Sequence, residues 1–324
     1  MKKLLKLCTI FSLMIGLVAC SSYQNDGKTK VGIIQLAEHP ALDASREGFI
    51  DALNEAGYTE ENTVIDYKNA NNDLSNCESI ANLLVNDQSD LIYAIATPAA
   101  QSVANKTLDI PIVLSAITNP EQAGLVKSNE KPQINVTGTS DLTPISQQFW
   151  LMKQLLPSAK KIGIMYCSSE DNSIYQASIA HKVAKKSGYE TVDATVSDSN
   201  MIQQVAESLV GKVDVIYVPT DNMLSEGMSI ISQVSLEHKI PCIVAEKALV
   251  EKGGLATYGI DYYELGKVAG RQAISILEGK SQPEQMPIEY LPDDKCQLVI
   301  NKTVAKKLGI SIPNAVLKKA EVIK

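Results

Sequence analysis

The sequence predicts an α/β protein of two similar lobes, each with a doubly wound parallel sheet, joined by a three-strand hinge. The first observation is an internal repeat with a spacing of about 130 residues, which is the length of a whole domain and not of a solenoid unit. The matching pairs are Lys30-Val-Gly-Ile-Ile with Lys161-Ile-Gly-Ile-Met, Asp90-Leu-Ile-Tyr with Asp214-Val-Ile-Tyr, and Ile110-Pro-Ile-Val with Ile240-Pro-Cys-Ile. The second observation is that apolar runs alternate with helical patterns in each copy, which is typical of parallel α/β domains.

In the first copy, short apolar runs predict strands, and runs with a period of 3.6 residues predict helices. The helix Leu42–Gly57 has Leu42, Phe49 and Leu53 on one face and a glycine at its end. The other predicted helices are Asn76–Asn86 and Pro98–Asn105, and the strands are Val31–Leu36, Thr63–Asn69, Leu91–Ala96, Ile112–Ala116 and Asn135–Thr139.

The second copy follows a crossover predicted at Asp141 to Pro144. Its predicted helices are Ile145–Leu156, Ser173–Ser187, Asn200–Val210 and Leu224–His238, and its strands are Ile162–Tyr166, Glu190–Thr195, Val215–Val218 and Cys242–Ala245. A return crossover at Thr257 to Tyr262 leads to the helix Tyr263–Leu277, the strands Ile288–Leu291 and Gln297–Ile300, and the helix Lys302–Leu308.

These crossovers define the predicted lobes. Residues 30–141 with 262–291 form lobe 1, and residues 142–261 with 292–324 form lobe 2. A chain that passes between lobes three times makes a hinge that can close through a few φ/ψ changes. Open parallel sheets bind ligands in the crevice outside the carboxyl ends of their strands, so we expect a ligand between the lobes.

The first 20 residues predict a lipoprotein signal peptide. Lysines precede an apolar stretch, residues 7–19, that is shorter than the roughly 20 residues needed to span a bilayer. The stretch ends in Leu17-Val-Ala-Cys20, which indicates a lipobox with Cys20 acylated after cleavage; an ordinary signal peptide is the alternative. Residues 21–29 are polar and predict a flexible tether, so we expect a folded part anchored by lipid to the extracytoplasmic face of the cell membrane.

Composition argues against several other partners. The net charge is −7, and only Arg46 and Arg271 are arginines, so nucleic acid is not an expected partner. The cysteines after Cys20 form no C-x-x-C motif and no Cys/His cluster, so we expect no metal. No G-x-G-x-x-G motif follows a strand, so we expect no dinucleotide cofactor. We expect a monomer.

Polar side chains in and around the loops that follow the predicted strands are the candidate ligand-binding residues. Any one of them could instead cap the helix that follows, but their convergence on one cleft favours a ligand. They are Glu38, His39, Thr97, Pro98, Ser115, Thr118, Ser168, Ser169, Asn172, Ser173, Thr220, Asp221, Asn222, Glu246, Tyr258 and Asp261.

Their chemistry suits a zwitterion, which needs donors for its carboxylate and an acid for its ammonium group. The hydroxyl groups expected on the carboxylate are those of Thr97, Thr118, Ser168 and Ser169. The acids expected on the ammonium group are Asp221 and Asp261, followed by Glu246. The near absence of arginine argues against phosphate or a polyanion.

Seven short stretches carry a family resemblance that extends over nearly all of residues 30–310. They are Glu38-His-Pro-Ala-Leu-Asp, Arg46-Glu-Gly-Phe, Ala94-Ile-Ala-Thr-Pro-Ala-Ala, Asn135-Val-Thr-Gly, Gly211-Lys-Val-Asp, Tyr217-Val-Pro-Thr-Asp-Asn and Ala256-Thr-Tyr-Gly-Ile-Asp-Tyr-Tyr-Glu-Leu-Gly. The chain resembles the solute-binding lipoproteins of ABC importers, in the group similar to tryptophan- and tyrosine-binding proteins. The resemblance implies a type I periplasmic-binding fold, an aromatic amino acid as ligand and an ABC permease as partner. One departure is Ala245-Glu-Lys-Ala248, where a smaller, Ser/Gly-richer loop is expected.

Two other functions stay open. A sugar receptor of the same fold could stack its ligand on Tyr258, Tyr262 or Tyr263, near the return crossover. An exported α/β enzyme could use His39 as a general base with a carboxylate across the cleft. Against the enzyme, the sequence contains neither G-x-S-x-G nor H-E-x-x-H.

Overall fold

The computed structural model of the protein describes residues 27–292 and 295–324. Cys20 and the rest of the predicted signal peptide lie outside the described residues. Within the described part of the chain, no helix has the length and apolar character needed to cross a bilayer.

The helices and strands follow one another in the predicted order. The first group is β1 (Thr29–Gln35), α1 (Pro40–Glu55), β2 (Thr63–Asn69), α2 (Leu74–Asn86), β3 (Leu91–Ile95), α3 (Thr97–Ala104), β4 (Ile112–Ile117) and β5 (Val136–Ser140). The second is α4 (Ile145–Leu155), β6 (Lys161–Cys167), α5 (Asp171–Lys186), β7 (Glu190–Val196), α6 (Ile202–Ser208), β8 (Val215–Val218), α7 (Asn222–His238), β9 (Cys242–Val244), α8 (Lys247–Glu251) and β10 (Ala256–Gly259). The last is α9 (Tyr262–Leu277), β11 (Glu289–Tyr290), β12 (Gln297–Asn301), α10 (Lys302–Leu308), α11 (Asn314–Leu317) and β13 (Glu321–Ile323).

Two sheets organise these elements into two lobes. In the described residues, the sheet of lobe 1 has six parallel strands in the order β11-β5-β4-β3-β1-β2. Within the described part of the chain, the sheet of lobe 2 has seven strands in the order β13-β12-β10-β9-β8-β6-β7, and only the pairing of β10 with β12 is antiparallel. The chain passes between the sheets after β5, after β10 and after β11. The predicted fold class of two parallel-sheet lobes is therefore confirmed.

The repeat seen in the sequence reappears as matching hydrogen bonds. In lobe 1, the backbone N–H of Lys30 donates to Asp90 Oδ2 at 2.7 Å. In lobe 2, the backbone N–H groups of Lys160 and Lys161 donate to Asp214 Oδ2 at 2.7 and 2.8 Å. Each aspartate precedes a central strand and accepts hydrogen bonds from the backbone at the start of the neighbouring strand. These bonds fix the register of the parallel pair.

Lobe 1 is closed by helix α9, which returns from lobe 2 and packs against α1. The two backbones come so close that only glycine fits at the contact. A Cβ added to Gly266 would lie 2.0 Å from the carbonyl oxygen of Ser45, and one added to Gly48 would lie 2.1 Å from that of Tyr263. Below these helices, the rings of Phe49 and Tyr93 stack with centroids 3.8 Å apart.

Some elements were not predicted. The region Thr257 to Tyr262 was expected to be a crossover, but strand β10 occupies its first half and only Ile260 and Asp261 connect the lobes. The reason is that β10 is stabilised by strands β9 and β12, which are distant in sequence. The short elements α8, α11 and β13 were also missed, because three to five residues are too few to show a hydrophobic period.

Candidate functional site

The carboxyl ends of the parallel strands from both lobes face one cleft. Lobe 1 contributes the loops after β1, β3, β4 and β5, and lobe 2 contributes those after β6, β8 and β9. Side-chain hydrogen bonds join the lobes across this cleft: Asn72 Nδ2 to Glu226 Oε2 at 3.1 Å, Gln101 Nε2 to Asp171 Oδ2 at 2.9 Å, and Gln176 Nε2 to Thr118 Oγ1 at 2.9 Å. The lobes are therefore in contact around the cleft.

The cleft gathers buried polar atoms that have no hydrogen-bond partner. They are the two ring nitrogens of His39 and Oγ1 of Thr97 from lobe 1, with Oδ1 of Asn172, Oγ1 of Thr220 and Oε2 of Glu246 from lobe 2. A buried polar atom left unpaired costs about 1–3 kcal/mol, so a cluster of them indicates a place built for a ligand. All five residues are among those predicted from the sequence. Among the described residues, the other such atoms belong to Tyr67, Thr257 and Gln272.

Two carboxyl groups lie at the hinge end of the cleft. Asp141, directly after β5, accepts hydrogen bonds from Thr118 Oγ1 at 3.0 Å and from the Tyr262 hydroxyl at 2.9 Å. Burial raises the pKa of the Asp141 carboxyl to about 6, although these two hydrogen bonds oppose the shift. Asp141 was not predicted as a site residue, and Tyr262 was named only for the alternative sugar site. The sequence could have indicated both residues, because they lie at the start of the first predicted crossover and at the end of the second.

Glu246 follows β9 and faces Asp141 from the other lobe. Its Oε1 accepts a hydrogen bond from Ser225 Oγ at 3.2 Å, while Oε2 has no partner of good hydrogen-bond geometry. The Tyr262 hydroxyl lies close enough to Glu246 to lower its pKa. Burial raises the pKa of the Glu246 carboxyl to about 7, and the nearby charge of Asp141 adds to the increase. The ammonium group of Lys252 lowers this pKa, but its Nζ donates to the backbone oxygen of Ser225 at 2.6 Å.

Asp221, a predicted ammonium partner, has a structural role. It is fully buried, with Oδ1 accepting from the backbone N–H of Leu224 at 2.8 Å and Oδ2 from that of Cys167 at 2.6 Å. It therefore caps α7 and ties that helix to the end of β6. Glu170 supports the same turn, because it accepts from the backbone N–H groups of Asn222 and Met223. Each oxygen of Asp221 therefore accepts one backbone hydrogen bond within lobe 2.

Asp261, the other predicted ammonium partner, also caps a helix. Its Oδ1 accepts from the backbone N–H groups of Tyr263 and Glu264 at 3.0 and 3.2 Å, at the start of α9. Its Oδ2 accepts from Gln297 Nε2 at 2.8 Å. Asp261 nevertheless lines a cavity of about 210 Å³ between the lobes, together with Glu246, Tyr262 and residues 40, 41 and 44 of α1.

Other predicted residues lie away from the centre of the cleft. The Ser115 hydroxyl belongs to an interior network of lobe 1, 2.8 Å from Ser45 Oγ and 3.2 Å from Thr139 Oγ1. Tyr258 lines a groove of lobe 2 beside Trp150 and Leu298. The residues Glu38, Ser168 and Ser169 are exposed, and Ser173 is buried within the first turn of α5.

Thr97 begins helix α3 at the end of β3. The preceding residue, Ala96, has a φ of 80°, a left-handed conformation that is strained for alanine and recurs at functional sites. No side chain caps α3, and Pro98 occupies its first turn. The helix therefore directs free backbone N–H groups and the unpaired Thr97 hydroxyl toward the same space, an arrangement that suits a carboxylate.

His39 precedes α1 and is only 5% exposed. Burial, with the charge of Lys252 as the second cause, lowers the pKa of its imidazole to about 4, so the ring is neutral at pH 7. Asn222 of lobe 2 lies beside the ring, without a hydrogen bond of good geometry. Gln176, which the sequence analysis missed, binds Thr118 from the middle of α5, where nothing distinguishes it from a surface glutamine.

Comparisons with known proteins agree with this geometry. A family model for ABC transporter substrate binding proteins matches residues 30–324. A tyrosine-binding protein of Clostridioides difficile is 46% identical over 325 residues, which cover 95% of this chain and 93% of that protein. The structure of an ABC domain from Streptococcus pneumoniae in complex with L-Trp is 39% identical, covers 91% of this chain and 100% of its own, and superposes with a TM-score of 0.88.

A third comparison concerns the arrangement of the lobes. The ligand-free, open structure of a substrate-binding protein with adhesive properties from Clostridium difficile is 44% identical and covers 91% of this chain and 99% of its own. Its TM-score is only 0.71, although its sequence identity exceeds that of the L-Trp complex. The lobes of this chain are therefore arranged more like those of the L-Trp complex than like those of the open structure.

Proposed function

We propose that this chain, which belongs to the ABC transporter substrate-binding protein family, captures an aromatic amino acid between its lobes and delivers it to an ABC permease. The observation that carries the proposal is the cluster of unpaired buried atoms from both lobes, on His39, Thr97, Asn172, Thr220 and Glu246. Tyrosine and tryptophan are the favoured ligands, because a tyrosine-binding protein and an L-Trp complex are similar to this chain over most of its length.

Each end of an amino acid has a complement in the cleft. The ammonium group binds the free Oε2 of Glu246 and lies beside Asp141, because a charge enclosed in the closed cleft must be paired. The carboxylate binds the Thr97 hydroxyl and the N-terminus of α3. The hydroxyl of Thr220 and the amide oxygen of Asn172 complete the polar contacts from lobe 2.

Ligand capture closes the lobes about the three connections between them. These connections lie next to residues 141, 261 and 291. The bonds between Asn72 and Glu226, and between Gln101 and Asp171, form only when the lobes meet. The ligand stabilises this closed state because it contacts both lobes at once. In this role the protein is a non-catalytic, monomeric receptor.

The two alternative functions have less support. A general base needs a hydrogen-bonded nucleophile and an orienting group, and neither nitrogen of His39 has a hydrogen-bond partner. A sugar site needs an aromatic face toward the ligand. Tyr258 lines a groove beside Trp150, the Tyr262 hydroxyl donates to Asp141, and the Tyr263 hydroxyl donates to Asp51.

The test is titration calorimetry and thermal melting of the purified soluble protein with each of the twenty amino acids and with a panel of sugars. We expect binding and a raised melting temperature with tyrosine or tryptophan, together with a smaller radius in small-angle scattering. Binding of a sugar alone would support the alternative receptor. No ligand among the amino acids would refute the proposal.

We also propose that Cys20 carries the lipid that holds the receptor at the extracytoplasmic face of the membrane. The support is the sequence Leu17-Val-Ala-Cys20 and the polar residues that follow it. Metabolic labelling with a fatty acid precursor tests this directly. The wild-type protein should be labelled and Cys20→Ala should not, whereas equal labelling would rule out this anchor.

A further inference from the structure

We propose that Tyr262 is a positioning residue of the ammonium site: its hydroxyl holds the carboxyl group of Asp141, and Glu246 is left for the ligand. The inference rests on the proposed function and deepens it, because it says how the two carboxyl groups of the site divide the available donors. In this role Tyr262 acts through Asp141 and not through a contact with the ligand.

The first argument is the place of the Tyr262 side chain. Tyr262 is the first residue of α9, directly after the connection from lobe 2, and it is buried. Its hydroxyl donates to Asp141 Oδ2 at 2.9 Å and lies close enough to Glu246 to affect the pKa of that carboxyl. Asp141 follows β5 of lobe 1 and Glu246 follows β9 of lobe 2. One hydroxyl therefore reaches an acid from each lobe.

The second argument counts the hydrogen-bond donors. A phenol hydroxyl has one proton and donates it to one acceptor at a time. Burial raises the pKa of Tyr262 well above its ordinary value, and the charges of Asp141 and Glu246 add to the increase, so the hydroxyl keeps its proton at neutral pH. With this proton donated to Asp141, Oε2 of Glu246 has no hydrogen-bond partner. The ammonium group of an amino acid brings three N–H donors and supplies the missing one.

The third argument is that the bond between Tyr262 and Asp141 does not depend on closure. Asp141 follows a strand of the lobe 1 sheet, and α9 packs against α1 of the same lobe. Thr118 Oγ1, also of lobe 1, donates to the other oxygen of Asp141 at 3.0 Å. Two donors thus orient this carboxyl group before Glu246 arrives from lobe 2. A site that is oriented in advance loses less free energy when the ligand binds.

The charged groups around the two carboxyl groups bear on the pH dependence of binding. Lys252 faces Glu246 and lowers its pKa, and His39, with a pKa of about 4, stays largely neutral above pH 5. The charged residues that line the adjoining cavity with Glu246 are Lys247, Glu251 and Asp261. None of these groups changes when the hydroxyl of Tyr262 is removed, so a shift in the pH profile reports on Asp141 and Glu246.

Tyr262→Phe removes the hydroxyl and keeps the ring. Titration calorimetry with L-tyrosine and L-tryptophan between pH 5 and 8 measures the affinity and the midpoint of its fall in acid. We expect binding about three- to tenfold weaker at pH 8, because Asp141 is no longer held toward the ammonium group. We also expect the midpoint to move to higher pH by roughly half a unit or more, because the hydroxyl lowers the pKa of both carboxyl groups.

Tyr263→Phe is the matched control, because the hydroxyl of this neighbouring residue donates to Asp51 on α1 at 2.7 Å. It should leave the affinity and the midpoint as in wild type. If Tyr262→Phe does not fold, Tyr262→Leu is measured and read in the same way. An unchanged midpoint in the Tyr262 variant, with or without a loss of affinity, would overturn the positioning role and leave the proposed function standing. Failure of the wild-type protein to bind any amino acid would refute the proposed function and this inference with it.

Discussion

The Tyr262 hydroxyl donates a hydrogen bond of 2.9 Å to Asp141 Oδ2 and so links the first crossover between the lobes to the second. Asp141 is 1% exposed and Tyr262 is 6% exposed. Glu246 approaches the same point from lobe 2, so that the closed arrangement places two buried carboxyl groups near each other. Like charges in a buried place repel, and an ammonium group between them removes that repulsion. The predictions below follow from this arrangement and from the packing that supports it.

Glu246→Gln should weaken binding of the aromatic amino acid by about 2–5 kcal/mol, because it removes the charge partner of an enclosed ammonium group. Titration calorimetry measures the loss. Glu237→Gln is the control: Glu237 is exposed near the end of α7, and this variant should bind ligand as the wild type does. Wild-type affinity in Glu246→Gln would exclude Glu246 as the ammonium partner.

Asp221→Asn should lower the melting temperature and leave affinity within about threefold of wild type. The carboxylate accepts two backbone N–H groups, and an amide in its place turns a donor toward one of them, at a cost of about 1–3 kcal/mol. Melting curves and calorimetry on the same sample separate the two effects. A large loss of affinity with an unchanged melting temperature would show that Asp221 binds the ligand.

Ligand affinity should fall as the solution is acidified. Burial raises the pKa of Glu246 from 4.5 to about 7, and the ligand requires its ionised form. At pH 6 only about a tenth of such a group is ionised, so binding should be about tenfold weaker than on the plateau above pH 8. Titration between pH 5 and 8 gives the profile, and Glu246→Gln should flatten it.

The stability of the ligand-free protein should change in the opposite direction. Asp141 and Glu246 have folded-state pKa values of about 6 and about 7, above their ordinary values of 3.8 and 4.5. The folded protein therefore holds these protons more tightly than the unfolded chain, and their contribution to the free energy of unfolding falls as pH rises from about 4 to about 7. Denaturant melts of Asp141→Asn should show a smaller fall over this range than those of wild type.

Glu226→Ala should weaken the closed state without touching the ligand. The change removes the hydrogen bond of 3.1 Å from Asn72 across the cleft, so the ligand should dissociate about two- to tenfold faster. Stopped-flow measurement of the dissociation rate tests this. Glu237→Ala changes an exposed glutamate on the same helix and should have no effect; an equal effect of both variants would assign the change to surface charge.

Gly266→Ala should destabilise lobe 1 by about 1–3 kcal/mol, because overpacking separates two helices in contact. The added methyl group would lie 2.0 Å from the carbonyl oxygen of Ser45 on α1. Thermal melting measures the effect. Arg271→Ala, on the exposed side of α9, should melt close to wild type. A melting temperature equal to that of wild type in Gly266→Ala would contradict this close contact.

The sequence alone determined the two-lobed fold. The hydrophobic periods of helices and strands are local properties, and the internal repeat is found by comparing the sequence with itself. Lys30 and Lys161 occupy equivalent strands, as their matching bonds to Asp90 and Asp214 show. The sequence also named the five residues whose unpaired atoms gather in the cleft, because polar loops after parallel strands must meet at one edge.

Only the tertiary structure distinguishes the three predicted acids by the hydrogen bonds that they accept. Asp221, Asp261 and Glu246 all follow strands and precede helices, so their local sequences do not separate them. The two aspartates have both oxygens occupied, whereas Glu246 keeps one oxygen without a partner. The reason is that the competing partners, such as the backbone N–H of Cys167 and the side chain of Gln297, come from distant segments that only folding brings to the carboxylate. Asp141 was missed for the same reason. Its partner Tyr262 is 121 residues away in the sequence, and most of lobe 2 lies between them.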